Sequence, residues 1–254
     1  MGTGLLVKDM SSGNAEIARR EYKHGKIAYS FQWNKTHHKE LGKSEGDLAS
    51  LWAHLTTIAR GKIPENPFRD PFYTRASRLR LAKMSASKKV AFRRRMIAKG
   101  FIKHIPDSAL VSMIREYHRN RNDLSYSADH SILKEFLAND PQTIAIEVPV
   151  WSDRYQLSGH IDLIRFRNDT IEVCDYKPGK LDDTKRRFLE SVPQVAAYGE
   201  MMTHHLASTL RVALDAPLLP KVKCCVFDTH SCWRFGAEMF ITLLETGHLD
   251  GFHT

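Results

Sequence analysis

Two aspartates and a lysine are the side chains best placed to do chemistry. The runs SGHIDLIRFR (158–167) and TIEVCDYK (170–177) alternate in character and are rich in β-branched residues. Only Asn168 and Asp169 separate them. This pattern predicts two antiparallel strands joined by a two-residue turn. Arg167 then faces Thr170, Phe166 faces Ile171, Ile164 faces Val173 and Asp162 faces Asp175. One step further along, His160 faces Lys177. Side chains alternate in strands, so all of these pairs except Arg167–Thr170 share one side of the sheet, and Phe166, Ile171, Ile164 and Val173 make it the core side. Arg165, Glu172, Arg167, Leu163 and Cys174 belong to the other side. Two directly opposed carboxylates repel, and burying an uncompensated charge is costly. A one-residue slip would remove the clash but would turn the apolar set outward. A divalent cation between the carboxylates resolves the conflict through hard oxygen ligands. Lys177 is then placed to orient, or help deprotonate, a metal-bound water. That is equipment for metal-assisted phosphodiester hydrolysis. The alternative is a solvated strand end where Asp and Lys simply face water.

The elements around this hairpin can be read in outline. TIAIEVPVW (143–151) predicts a strand before it. Asp182 to about His205 predicts a helix interrupted at Pro193. VKCCVFD (222–228) predicts a fourth strand, CWRF a return strand and GAEMFITLLETG a closing helix. Upstream, Leu48, Leu51, Leu55 and Ile58 recur at helical spacing between Asp47 and Arg60, and Gly61 ends that helix. Asp107–Arg119 and Ser131–Leu137 predict two more helices. Residues 1–45 are polar and weakly periodic. Their His37–His38 pair reads as surface, because no partner lies at ligand spacing. From Asp47 onward the order is helices, three strands, helix, strand and helix, an α/β pattern.

GHIDLI (159–164), CDYK (174–177) and QVAAY (194–198) together resemble the PD-(D/E)XK nuclease superfamily. They are closest to its RecB-like branch, which carries GxxD, (D/E)xK and QxxxY in that order. The resemblance covers about residues 143–227. It implies a restriction-endonuclease-like core of helix, three-stranded antiparallel meander, helix and fourth strand, here with a helical N-terminal part. It implies Mg²⁺ or Mn²⁺ and hydrolysis of DNA, with QxxxY pointing to an exonuclease on ends or single strands. By the same resemblance Asp162 and Asp175 hold the metal, Lys177 is the catalytic lysine, and Gln194 and Tyr198 approach the DNA or brace the site. Gln194 and Tyr198 are an i, i+4 pair, which a plain packing face would also produce. Branch members add an upstream His as a metal ligand. His54 looks most similar to it, although it lies near an apolar stripe, and His130 is its rival. His160 is a neighbour of the site by analogy. Glu147 reads equally as an accessory residue or an outward strand carboxylate. Some branch members hold an iron–sulfur cluster on four cysteines. None here precedes Cys174, and Cys224 and Cys225 are adjacent, so no cluster is expected and the cysteines read as small buried residues.

Charge adds a partner. The chain of 254 residues has a formal net charge of +9. Between Pro71 and Pro106 there are eleven Lys and Arg and no Asp or Glu; the remainder holds 27 cations against 29 anions. A single basic segment on a near-neutral body points to a polyanion. With the motifs, that polyanion is DNA, gripped by Arg93, Arg94 and Arg95 among others. Phe72, Tyr73, Phe92 and Phe101 interleave with the cations and could stack on bases. Leu79, Leu81, Val90, Phe92, Met96, Ile97 and Phe101 would dock the segment as two short helices. The chain divides into a helical region, 1–141, containing basic segment 71–106 and a core helix near 47–60, and a catalytic core, 142–254. There is no apolar run long enough to span a membrane and no signal-like leader. Four cysteines without such a leader predict a reducing intracellular compartment. A catalytically inactive DNA-binding module and a ribonuclease are the rival readings.

Overall fold

The computed structural model describes residues 16–24, 27–120, 130–178, 187–213 and 221–252. The N-terminal region contains strands as well as the expected helices. Strands β1 (Ile17–His24) and β2 (Ile27–Asn34) pair antiparallel, and β2 joins the central sheet through Gln32–Ile146 and Trp33–Ala145. Tyr29, Phe31 and Trp33 alternate with polar residues in β2, whereas the polar, mostly exposed β1 shows no such period. Asn34 caps the next helix, α1 (Lys35–Leu41), accepting from the backbone N–H groups of Thr36 and His37. His37 and His38 are half-buried rather than surface residues. His37 Nδ1 meets the Thr143 carbonyl at 2.7 Å, and His38 Nε2 meets Thr56 Oγ1 at 3.1 Å.

Helix α2 (Asp47–Ala59) forms as expected and buries Leu51, Leu55 and Ile58. A short helix, α3 (Asn66–Arg69), lies in the proline-rich link. The basic segment forms one α-helix, not two. It runs as β3 (Thr74–Arg75), a 3₁₀ turn (Ala76–Arg78), β4 (Arg80–Leu81), α4 (Ala86–Ala98) and β5 (Ile102–His104). Its apolar residues are consumed by pairing and packing at several places. β3 pairs parallel with the strand at Leu157 and Ser158, while Phe92 and Met96 bury one face of α4. Two helices follow, α5 (Ala109–Asn120) and α6 (Leu133–Asn139).

The central meander is β6 (Thr143–Ser152), β7 (Leu157–Arg167) and β8 (Thr170–Tyr176). Asn168 and Asp169 have φ of 49° and 54°, the left-handed pair of a type I′ turn. The expected register holds from Arg167–Thr170 to Leu163–Cys174. Helix α7 (Arg187–Ala213) runs without interruption through Pro193. The chain continues through β9 (Val222–Phe227), parallel to β8, then β10 (Cys232–Gly236), α8 (Met239–Glu245) and β11 (Leu249–Asp250). Among the described residues the sheet order is β1-β2-β6-β7-β8-β9-β10-β5, with β3 attached to β7 and a separate β11-β4 pair. Strands from before and after residue 142 therefore share one sheet.

Both faces of the meander are covered. On one, Ile164, Val173, Val195, Ala196 and Met202 belong to the core that also contains the buried side of α2. On the other, Leu163, Cys174 and Phe227 pack with Leu110 and Ile114 of α5 and Phe136 of α6. Arg165 is buried on this second face, 2.8 Å from Asp140 Oδ2 and 2.9 Å from Glu172 Oε2.

Candidate active site

The hairpin opens where the two aspartates stand. Regular pairing of β7 with β8 stops at Leu163–Cys174, so Asp162 and Asp175 lie just past the last rung. The expected His160–Lys177 pairing is absent because the strands have separated. The Tyr176 backbone N–H donates to Asp162 Oδ2 at 2.9 Å instead. β8 stays tied to β9, with Asp175 beside Val226 and the Lys177 N–H donating to the Phe227 carbonyl at 3.0 Å. Both carboxylates are nearly sealed from solvent, at 7% exposure for Asp162 and 1% for Asp175. Burial, then the charge of Asp175, pushes the Asp162 carboxyl well above the ordinary range, while Lys177 pulls it back.

Helix α7 ties the remaining motif to this pair. Lys177 Nζ lies 2.7 Å from Asp175 Oδ2 and donates to Gln194 Oε1 at 3.2 Å. Gln194 Nε2 donates to Tyr198 Oη at 2.9 Å and to Asp175 Oδ1 at 3.4 Å. Both ends of the Gln194 amide are thus used, and one helical turn aligns Gln194 with Tyr198. The Tyr198 ring occupies the space beside Gly159, where a Cβ would lie 3.2 Å from both Cζ and Oη and closer still to Cε1.

Glu147 is not an outward strand carboxylate. Ile146–Leu163 and Val148–Ile161 flank it in register, so it lies level with Asp162. Its φ is 53°, a left-handed conformation in mid-strand that is costly for a residue with a Cβ. Burial and the charge of Asp175 push its carboxyl up to about 7.

The histidines divide. The His54 ring stacks on His205 at 4.4 Å and lies 5.7 Å from Trp151. It bonds to the Pro149 backbone, and its Nε2 is buried without a hydrogen-bond partner. Burial, reinforced by His205, keeps the ring neutral. The ring therefore packs against His205 and Trp151 rather than against the carboxylates, and His205 is a contact the sequence did not reveal. His130 begins a 3₁₀ turn (His130–Ile132), but its side chain lies outside the described residues. His160 packs against Tyr29 at 3.8 Å and faces Arg75, whose Nη2 is 3.4 Å from His160 Nδ1. Burial and Arg75 push the His160 pKa down to about 3.

Among the described residues no three His, Cys, Asp or Glu side chains converge as a ready metal cage. The Asp162–Asp175 pair is nevertheless a hard, oxygen-only donor set whose like charges a divalent cation would offset. That chemistry fits Mg²⁺ or Mn²⁺. All four cysteines are buried free thiols, with Cys225 and Cys232 Sγ atoms 3.2 Å apart. Arg94 and Arg95 are exposed on α4 and Arg93 is half-buried; Phe92 is buried and Phe72 is 72% exposed.

The model of the PD-(D/E)XK nuclease superfamily matches residues 32–223, from β2 into β9. The chain belongs to this superfamily. No curated protein sequence matches it. Members of the superfamily are typically metal-dependent nucleases that use Mg²⁺ or Mn²⁺, and the α/β core described above is consistent with its restriction-endonuclease-like architecture. The match begins well before the meander, so the superfamily unit includes α2 and the basic segment. No helix among the described residues is long and apolar enough to cross a membrane.

Proposed function

We propose that this chain is a RecB-like, metal-dependent deoxyribonuclease, an exonuclease acting on DNA ends or single strands in repair, recombination or replication. One observation carries the reading: Gln194 bonds to Lys177, Asp175 and Tyr198, so the DxK and QxxxY elements form one connected set. Asp162 and Asp175 would hold the divalent cation, which would supply Lewis-acid polarisation of a phosphate oxygen. Gln194 and Asp175 fix the Lys177 ammonium, leaving it to orient the attacking water and to stabilise charge developing on the phosphate. Glu147 adds an accessory carboxylate. Basic segment 71–106, with Arg94 and Arg95 outward on α4, supplies sequence-independent phosphate contacts.

A single gel tests this. End-labelled single-stranded, double-stranded and circular DNA are incubated with Mg²⁺, Mn²⁺ or EDTA, beside Asp175→Ala and Lys177→Ala. Linear DNA should be degraded only with metal, and both variants should bind DNA without cutting. Cutting of the circle would reject a pure exonuclease, and undiminished cleavage by Lys177→Ala would reject the mechanism. Preferential loss of a matched RNA strand would make the enzyme a ribonuclease.

A further inference from the structure

Arg75 of the basic segment lies beside His160 and Tyr198, at the border of the candidate site. The place it occupies is made by the opening of the hairpin. Once β8 leaves β7, β3 pairs parallel with β7 through Thr74–Leu157 and Arg75–Ser158. The Thr74 N–H donates to the Gln156 carbonyl at 2.8 Å, and Tyr73 Oη donates to Asp153 Oδ1 at 2.6 Å. Arg75 is thereby fixed on both sides in sequence, with Ala76 fully buried behind it.

The surroundings of its guanidinium are unusual. Among the described residues, the charged or polar groups acting on it are the Tyr198 and Tyr29 hydroxyls, Arg78 and the imidazoles of His160 and His24. No carboxylate of the described residues is among them. By contrast, the buried Arg165 has Asp140 and Glu172, and the half-buried Arg234 has Glu172. Arginine stays protonated, so it is the donor toward His160 Nδ1. The second nitrogen of that ring, Nε2, is buried without a hydrogen-bond partner. A half-buried cation beside neutral groups and a second cation is poorly compensated until an anion arrives. The anion that a planar guanidinium fork matches best in a nucleic-acid site is a phosphate.

We propose that Arg75 binds a phosphate of the substrate strand next to the Asp162–Asp175 site and so sets the position of the strand for cleavage. This rests on the nuclease reading above. It goes further in assigning a specific phosphate contact to a side chain outside the three motifs. The phosphate is either an internal diester or the monoester at a strand end, and the guanidinium chemistry is the same for both.

The test measures binding by fluorescence anisotropy in EDTA, so that it does not depend on cleavage. Wild type, Arg75→Gln and Arg75→Lys are titrated with a short labelled DNA strand and with strands in which one phosphate at a time is a neutral methylphosphonate. Strands with 5′-phosphate and 5′-hydroxyl ends are included. Arg75→Gln should weaken binding of the unmodified strand by about tenfold. One neutralised phosphate, or loss of the terminal one, should weaken wild type by a similar factor and leave Arg75→Gln unaffected. Arg75→Lys should recover part of the loss and remain sensitive to that same phosphate. A structural role for Arg75 would give losses that add at every position, and that result would overturn the proposal. Absence of DNA binding by wild type would overturn it as well. Phosphate-specific coupling in a wild type that never cuts DNA with Mg²⁺ or Mn²⁺ would support it while rejecting the nuclease reading.

Discussion

The Tyr198 ring fills the space that a side chain on Gly159 would need. A Cβ there would stand 3.2 Å from Cζ and Oη and nearer still to Cε1, closer than real Cβ atoms come to a neighbour. The glycine of GxxD and the tyrosine of QxxxY are therefore one packing unit. Gly159→Ala should push Tyr198 away and loosen its bond to Gln194, at a cost of about 1–3 kcal/mol in stability. Urea unfolding and cleavage assays would check this. The double variant Gly159→Ala/Tyr198→Ala should recover part of the stability, and additive losses would break the link.

Gln194 spends its amide on holding Asp175, Lys177 and Tyr198. Gln194→Met keeps the bulk and removes those bonds. Cleavage should fall by about tenfold to a hundredfold, in line with other residues that orient a metal site. The melting temperature should stay close to that of wild type, and a large drop would recast Gln194 as a folding residue.

Glu147 gives a pH signature in metal-free protein. Its folded pKa, about 7, lies above the unfolded value near 4.5. The folded state then holds the extra proton between those values, so stability falls as pH rises through that window. The contribution is present below pH 4.5 and lost above 7, about 3 kcal/mol at the upper end. In EDTA, Glu147→Gln should therefore gain on wild type between pH 5 and pH 8. Comparison with the variant cancels the buried histidines, which titrate in the opposite sense. An unchanged difference across that range would contradict the placement of Glu147.

Arg165 sits in a buried ionic set with Asp140 and Glu172, and Glu172 also meets Arg234 at 3.1 Å. Asp140→Ala strips one carboxylate from a buried cation, which typically costs about 3–5 kcal/mol. Denaturant unfolding should show that loss, whereas binding of DNA by the folded fraction should not change.

Arg94 and Arg95 are exposed on α4. If they contact phosphates, Arg94→Glu/Arg95→Glu should flatten the dependence of log affinity on log salt. The slope should drop by about 0.7 per lost contact on single strands. An unchanged slope would leave α4 as ordinary solvated surface.

Most of the site was legible in local sequence. The hairpin register follows from a two-residue turn and alternation over a few residues on each side, and the structure keeps it from Arg167 to Leu163. Helix α2 was legible because its apolar period is a property of consecutive residues. The β2 strand had a readable period in Tyr29, Phe31 and Trp33, but β1, polar and mostly exposed, had none. Basic segment 71–106 was overread as two helices because its short strands carry too few residues to show a period.

The sequence by itself determined the motif carboxylates, the lysine, the QxxxY helix and the order of the core elements. Each of these depends on neighbours along the chain. Only the tertiary structure decided that the hairpin opens at Asp162 and Asp175, that Glu147 stands level with them, and that His54 lies against His205. It alone brought Arg75 to the edge of β7. These are pairings between distant segments, chosen by which strand edges are left free and which faces are left uncovered. That competition is settled only when the whole sheet and its two helical layers assemble.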